Sequence, residues 1–97
     1  MTVWILTIEA YHETEIVSVH ATEAGGVAAW EAKRKDMIGD HKLTIQHCKE
    51  HSLADGRDRT RTIDYWEQEI AALEAAEPYG YCYAHAHPVL EKYEVKP

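Results

Sequence analysis

No Lys or Arg occurs among residues 1–31, which carry five acids. Residues 32–62 hold eight of the ten bases against five acids, and residues 63–97 return to seven acids against two bases. The three segments stand at −5, +3 and −5, which together give the formal −7. A chain of that sign is repelled by phosphate, so nucleic acid and anionic membrane are disfavoured as direct partners. No apolar run approaches the roughly 18 residues of a membrane span. The first apolar stretch lacks a basic region before it and a small-residue cleavage site after it. It reads as a strand rather than a signal peptide, and the cytoplasm is the expected compartment. Cys48 and Cys82 could form one disulfide, but reduced thiols are the expectation there. There is no glycine-rich phosphate loop, nucleophile elbow or zinc-protease helix, so an enzyme is not expected. Low-complexity tracts, linkers and internal repeats are also missing, and 97 residues then imply one domain, 1–97, with one modest core.

What is present is a strand–turn–strand–helix unit over Val3 to Ile38. Val3 to Ile8 is β-branched and aromatic, with Trp4, Leu6 and Ile8 on one face and Val3, Ile5 and Thr7 on the other. Ile16 to Ala21 alternates, which predicts Val17 and Val19 inside and Ser18 and His20 outside. Thr22 is the expected N-cap of a first helix, with Glu23 at the positive end of its dipole. Gly25 and Gly26 weaken that start. Val27, Trp30, Arg34, Met37 and Ile38 form its stripe, and Gly39 is the expected stop, behind the basic Lys33, Arg34 and Lys35.

Lys42 to Cys48 reads as a third strand and Ser52 to Arg61 as a polar loop with a turn at Asp55-Gly56. Thr62 or Asp64 would cap a second helix, whose stripe is Ile63, Trp66, Ile70 and Leu73, ending at Glu77-Pro78-Tyr79-Gly80. Tyr81 to His87 predicts a fourth strand, with Tyr81, Tyr83, His85 and His87 on one face and Cys82, Ala84 and Ala86 on the other. Val89 to Val95 would be a short edge strand or tail. The order ββαβαβ implies a small α+β domain. Its sheet would have three to five antiparallel or mixed strands, with both helices packed on one face. Trp4, Leu6, Val17, Val19, Trp30, Ile63, Trp66, Ile70 and Leu73 are the expected core. The other sheet face would be open to a partner or to a second copy of the chain in a homodimer.

Two constellations carry candidate chemistry. Cys48-x-x-His51 and Cys82-x-x-His85, with His87 as a further imidazole, offer the soft and borderline ligands that zinc takes tetrahedrally. Against this, residues i and i+3 of a regular strand point to opposite faces. A cysteine beside a histidine could also make an activated thiolate. Arg57, Arg59 and Arg61 could line up on phosphates, but Asp55 and Asp58 interleave with them. The second constellation is acidic and aromatic. Glu67, Glu69, Glu74 and Glu77 on the second helix and Glu9, Glu13 and Glu15 around the hairpin should face solvent and can pair with Lys and Arg. Tyr79, Tyr81 and Tyr83 stand beside them as candidate anchors, since tyrosine is enriched at binding hot spots.

Ile5 to Glu9, His12, and Val17-Ser18-Val19-His20-Ala21-Thr22-Glu23 on to Trp30 resemble a type of small accessory protein carried by phages, prophages and plasmids. The usual His-Gly of the hairpin turn is here His12-Glu13, and the paired Trp at the helix end is missing. The resemblance covers about residues 3–38 and brings no catalytic residues with it. It implies a setting, that of a host-takeover or anti-defence factor such as an anti-CRISPR protein. The expected function is binding to a host protein or nucleoprotein complex, most plausibly to inhibit a nucleic-acid-handling defence complex, with no cofactor. The other reading is a small zinc-binding domain.

Overall fold

The computed structural model describes residues 1–96. The elements run β1 (Thr2–Ala10), β2 (Glu13–His20), α1 (Glu23–Asp55), α2 (Thr60–Glu74) and β3 (His87–Glu94). The three strands form an antiparallel sheet in the order β2-β1-β3. The domain is α+β, in the order ββααβ rather than ββαβαβ.

β1 is central, as its two apolar faces require. The hairpin to β2 turns at Tyr11-His12, with His12 at φ 70°. Trp4, Leu6 and Ile8 face α1. Leu6 lies buried with Trp30 and Leu90, while Ile8 packs on the group around Met37 and Leu73.

α1 begins as the sequence predicts, with the Thr22 hydroxyl accepting the Gly25 N–H at 3.1 Å. Gly26 has a role beyond weakening that start. A Cβ there would lie 2.9 Å from Trp4 Cβ and 3.1 Å from Leu90 Cδ1, so the missing side chain lets the helix lie on the sheet. One turn further on, the buried Trp30 indole donates to the Pro88 carbonyl at 2.9 Å.

Several sequence expectations fail. Gly39 does not stop α1, and Lys42 to Cys48 is helix rather than strand. The alternation of Leu43 and Ile45 is also compatible with a helix. The deciding stripe is Met37, His41, Ile45 and Cys48, which packs toward α2; His41 lies against Trp66 with ring centroids 4.7 Å apart. The helix stops only at Gly56, at φ 70°, whose N–H caps the Ser52 carbonyl. α2 then starts at Thr60, earlier than Thr62 or Asp64, where the Asp58 carboxylate accepts the Thr60 N–H at 2.9 Å.

Tyr81 to His87 does not form a fourth strand; only His87 belongs to one, at the start of β3. The predicted alternation is nonetheless real: Cys82 and Ala84 are buried, while Tyr81, Tyr83 and His85 are exposed. The segment lies over α2 instead of beside a strand, with Cys82 Sγ against the Ala72 carbonyl at 3.7 Å.

The two helices do not share a sheet face either. α1 packs on the strands, and α2 packs on α1.

Val17 and Val19 are also misplaced by the sequence reading: both are exposed, Val19 at 57 %. The register pairs Leu6 with Ser18 and Trp4 with His20, so the polar side of β2 turns toward α1. A bulge sets this register, because Thr7 pairs with Ile16 and Val17 is left over. The Ser18 and His20 side chains satisfy each other at 2.7 Å. The outer sheet face therefore carries Val3, Ile5, Ile16, Val19 and Val89. Leu6, Trp30, Ile70 and Leu73 are buried as expected, while Trp4, Ile63 and Trp66 are half-buried.

Beyond Ile38, α1 and α2 continue past the sheet as a helical hairpin, which stretches the molecule to 61 × 23 × 19 Å. The radius of gyration is 16.4 Å, against about 12–13 Å for a compact chain of this length.

Two glycine substitutions should have opposite signs. Gly26→Ala meets Trp4 and Leu90 and should cost about 1–3 kcal/mol by overpacking. Gly39→Ala meets nothing within 4 Å on an exposed helix face and should stabilise by about 0.5–1 kcal/mol. Urea unfolding measures both; a destabilising Gly39→Ala would mean that α1 breaks there. Ile70→Ala should cost about 2–5 kcal/mol.

Candidate functional site

A cleft of about 480 Å³ opens where the helical hairpin leaves the sheet, lined by Ala10, Tyr11, Tyr65, His85 and Ala86. Three elements build it. The β1–β2 turn supplies Tyr11, α2 supplies Tyr65, and the segment between α2 and β3 supplies His85 and Ala86. Tyr11 is 79 % exposed and lies tilted against His12, with ring centroids 3.9 Å apart and planes at 52°. Tyr65 lies aslant His85 at 5.4 Å and edge-on to Trp66 at 5.0 Å.

Glu69 holds His85 in place from behind. It lies one turn beyond Tyr65 on α2 and is only 5 % exposed. One carboxylate oxygen accepts the His85 backbone N–H at 2.8 Å, and the other lies 2.6 Å from His85 Nδ1. An ionised carboxylate can only accept, so the proton facing it sits on Nδ1, and Nε2 is the ring's remaining acceptor position. The same carboxylate ties down a backbone amide that has no strand partner, which anchors the 81–86 segment without a ladder. Burial, and then the Glu69 charge, hold the Tyr65 phenol above its ordinary value, so it remains a neutral hydroxyl. Beside the cleft, His87 Nδ1 donates to the Ala84 carbonyl at 3.0 Å, and its Nε2 is 3.8 Å from Glu9.

Glu69 is thus a correction to the sequence reading, which had it facing solvent with its neighbours. Glu67, Glu74 and Glu77 are exposed, as are Glu13 and Glu15 on β2. Glu67 and Glu74 lie seven residues apart on one stripe of α2, while Glu69, two residues from Glu67, projects to another side. The expected tyrosines are all exposed: Tyr79 at 55 %, Tyr81 at 79 % and Tyr83 at 84 %. Tyr81 and Tyr83 meet edge to face at 4.6 Å. Sequence reasoning missed Tyr11 and Tyr65. The available signal was the i, i+4 spacing of Tyr65 and Glu69, which puts an aromatic ring and a carboxylate on one helix face.

The two Cys-x-x-His pairs do not meet. Cys48 and His51 lie on α1 near its far end. Cys82 is packed with Met37 and Leu73, and Met37 lies eleven residues back along the helix from Cys48, about 16 Å. Both cysteines are free thiols. No group of three or more His, Cys, Asp or Glu side chains among the described residues is arranged to hold a metal ion. Of the three loop arginines, Arg59 is taken up by Asp55, at 2.8 and 2.6 Å. That contact, with the Arg57 N–H, holds the Asp55 carboxyl well below the usual carboxylate range. Among the described residues no helix is long and apolar enough to cross a membrane.

Comparison with protein families, with characterised proteins and with solved structures finds no match to this chain.

The inward turn of Glu69 sets up a contrast within one helix. Glu69→Ala strands the His85 N–H and should cost about 1–3 kcal/mol. Glu67→Ala, two residues away, should change stability by less than about 0.5 kcal/mol. Equal effects in urea unfolding would place Glu69 back on the surface.

Proposed function

We propose that this protein works by binding another macromolecule through protein contact, and that its partner presents a basic surface. The observation that carries the reading is the exposed tyrosine pair, Tyr81 and Tyr83, on a segment held down by buried Cys82, Ala84 and Glu69. Tyrosines fixed from below and open above give large contact area at low entropic cost, which is the make-up of a binding hot spot. Exposed carboxylates accompany them: Glu74 and Glu77 precede the segment in the chain, Glu67 lies on α2, and Glu13 and Glu15 lie on β2. Charge of one sign around aromatic anchors selects a partner of the other sign and speeds encounter at low salt.

The resemblance of residues 3–38 to mobile-element accessory proteins suggests the kind of partner. A nucleic-acid-handling host complex is rich in Lys and Arg, and an acidic protein can occupy the surface that phosphate would take. Inhibition of such a defence complex, as by an anti-CRISPR protein, is the reading we favour.

The test is capture from host lysate on the intact chain, compared with Glu67→Lys/Glu74→Lys and with Tyr81→Ala/Tyr83→Ala. All four positions are exposed, so circular dichroism should be unchanged. Captured partners should be lost from both variants and should weaken at higher salt on the intact chain. Unchanged capture by both, at both salts, would refute the assignment.

A further inference from the structure

The cleft walled by Tyr11 and Tyr65 asks for a ligand of definite chemistry. Its volume, about 480 Å³, lies toward the lower part of the roughly 300–1,000 Å³ range of small-ligand sites, and it suits a side chain better than a large cofactor. Its walls are aromatic, and the face of an aromatic ring attracts cations. Behind the lining His85 lies Glu69, a buried carboxylate whose partner is that imidazole rather than a Lys or Arg. Tyr65, one turn before Glu69 on α2, has its phenol raised by burial first and by the Glu69 charge second. Glu9 stands behind His87 on the adjacent strand end. Anions are therefore repelled from the cleft.

Among cations, the donor geometry discriminates. With Nδ1 committed to Glu69, His85 offers one acceptor, Nε2, in the plane of its ring. A guanidinium is flat, stacks on a phenol face and donates from its edge at the same time. An ammonium group is compact and strongly hydrated, and it cannot stack while donating sideways.

We propose that this cleft seats the guanidinium of an arginine side chain, lying along Tyr11 and Tyr65 and donating to His85 Nε2 with the Glu69 charge behind that ring. The proposal rests on the basic-partner reading above and gives that partner one specific contact. No covalent step is involved; the ligand docks and leaves unchanged.

The experiment is a titration of the labelled full chain, followed by NMR at the side chains of Tyr11, Tyr65 and His85. The probes are N-acetyl-arginine methylamide, its citrulline counterpart, which has the same shape without charge, and its lysine counterpart. The arginine probe should shift all three residues saturably and bind at least about fivefold tighter than the other two. Glu69→Gln should bring arginine down to the citrulline level. Because Glu69 is buried and its replacement can loosen the segment, Tyr11→Ala provides a second test from an exposed position and should weaken arginine severalfold. Equal binding of arginine and citrulline overturns the proposal, as does arginine binding that Tyr11→Ala leaves unchanged. Shifts confined to the Glu67–Glu74 stripe also overturn it, since arginine would then bind the acidic helix and not the cleft. The two readings fail separately. Arginine in the cleft with no partner captured removes the macromolecular reading alone, whereas capture that depends on Tyr81 and Tyr83 with an empty cleft removes the arginine site alone.

Discussion

The contact on which the rest depends is the seating of α1 on the sheet at Gly26 and Trp30. A helix approaches strands closely only where its side chains allow it, and at Gly26 there is none. The close approach brings the Trp30 indole within 2.9 Å of the Pro88 carbonyl, joining residues 58 apart in the sequence. Leu6 and Leu90 close over the ring, at 1 % and 2 % exposure. A buried indole N–H left unpaired would carry a penalty of order 1–3 kcal/mol, so this bond also specifies where β3 begins. Because β3 is fixed there, the twelve residues before it must cross from α2 to that point, and they carry His85 and the exposed tyrosines with them.

Arg34 does the second part of this positioning. Its guanidinium donates to the Leu73 carbonyl, which also accepts the Ala76 N–H, and to the Glu74 carbonyl in the last turn of α2. It is ion-paired with Glu31 and lies 5.5 Å over the Trp30 ring. One side chain therefore ties the end of α2 to the same tryptophan that seats α1. The direction in which the chain leaves α2, and hence the height at which His85 meets Glu69, follows from that bond.

The beginning of the chain was legible. β-branched density identified β1, the Thr22 hydroxyl marked the start of α1, and the 3.6-residue stripe of Ile63, Trp66, Ile70 and Leu73 identified α2. What was hidden lay wherever a local pattern had two readings. Leu43 and Ile45 share a face only on a strand, but the run is too short to fix the period; on the helix they fall on opposite sides, Ile45 buried and Leu43 exposed, and the choice is made by Trp66 on a different helix. Gly39 looks like a stop because glycine often is one, yet no left-handed turn forms there; Gly56 takes that conformation instead. The faces of β2 were inverted by a bulge, which leaves no mark in the alternation of residue types. The exposure of Tyr81 and Tyr83 was readable from alternation alone, whereas Tyr11 and Tyr65 of the cleft were not. Glu69 was not, because a carboxylate on an amphipathic helix gives no sign that a backbone amide sixteen residues further on will need it.

α1 runs unbroken for 33 residues, about 50 Å, and serves both ends of the molecule. Its first half is sheet-bound and its second half is one arm of the projecting hairpin. The helix therefore acts as a fixed ruler between the tyrosine cleft and the Gly56 turn. These two places cannot close on each other like jaws without breaking helical hydrogen bonds. Any body that grips both must already have that span, and a push on the far turn reaches the sheet as a tilt of the whole helix rather than as a local bend.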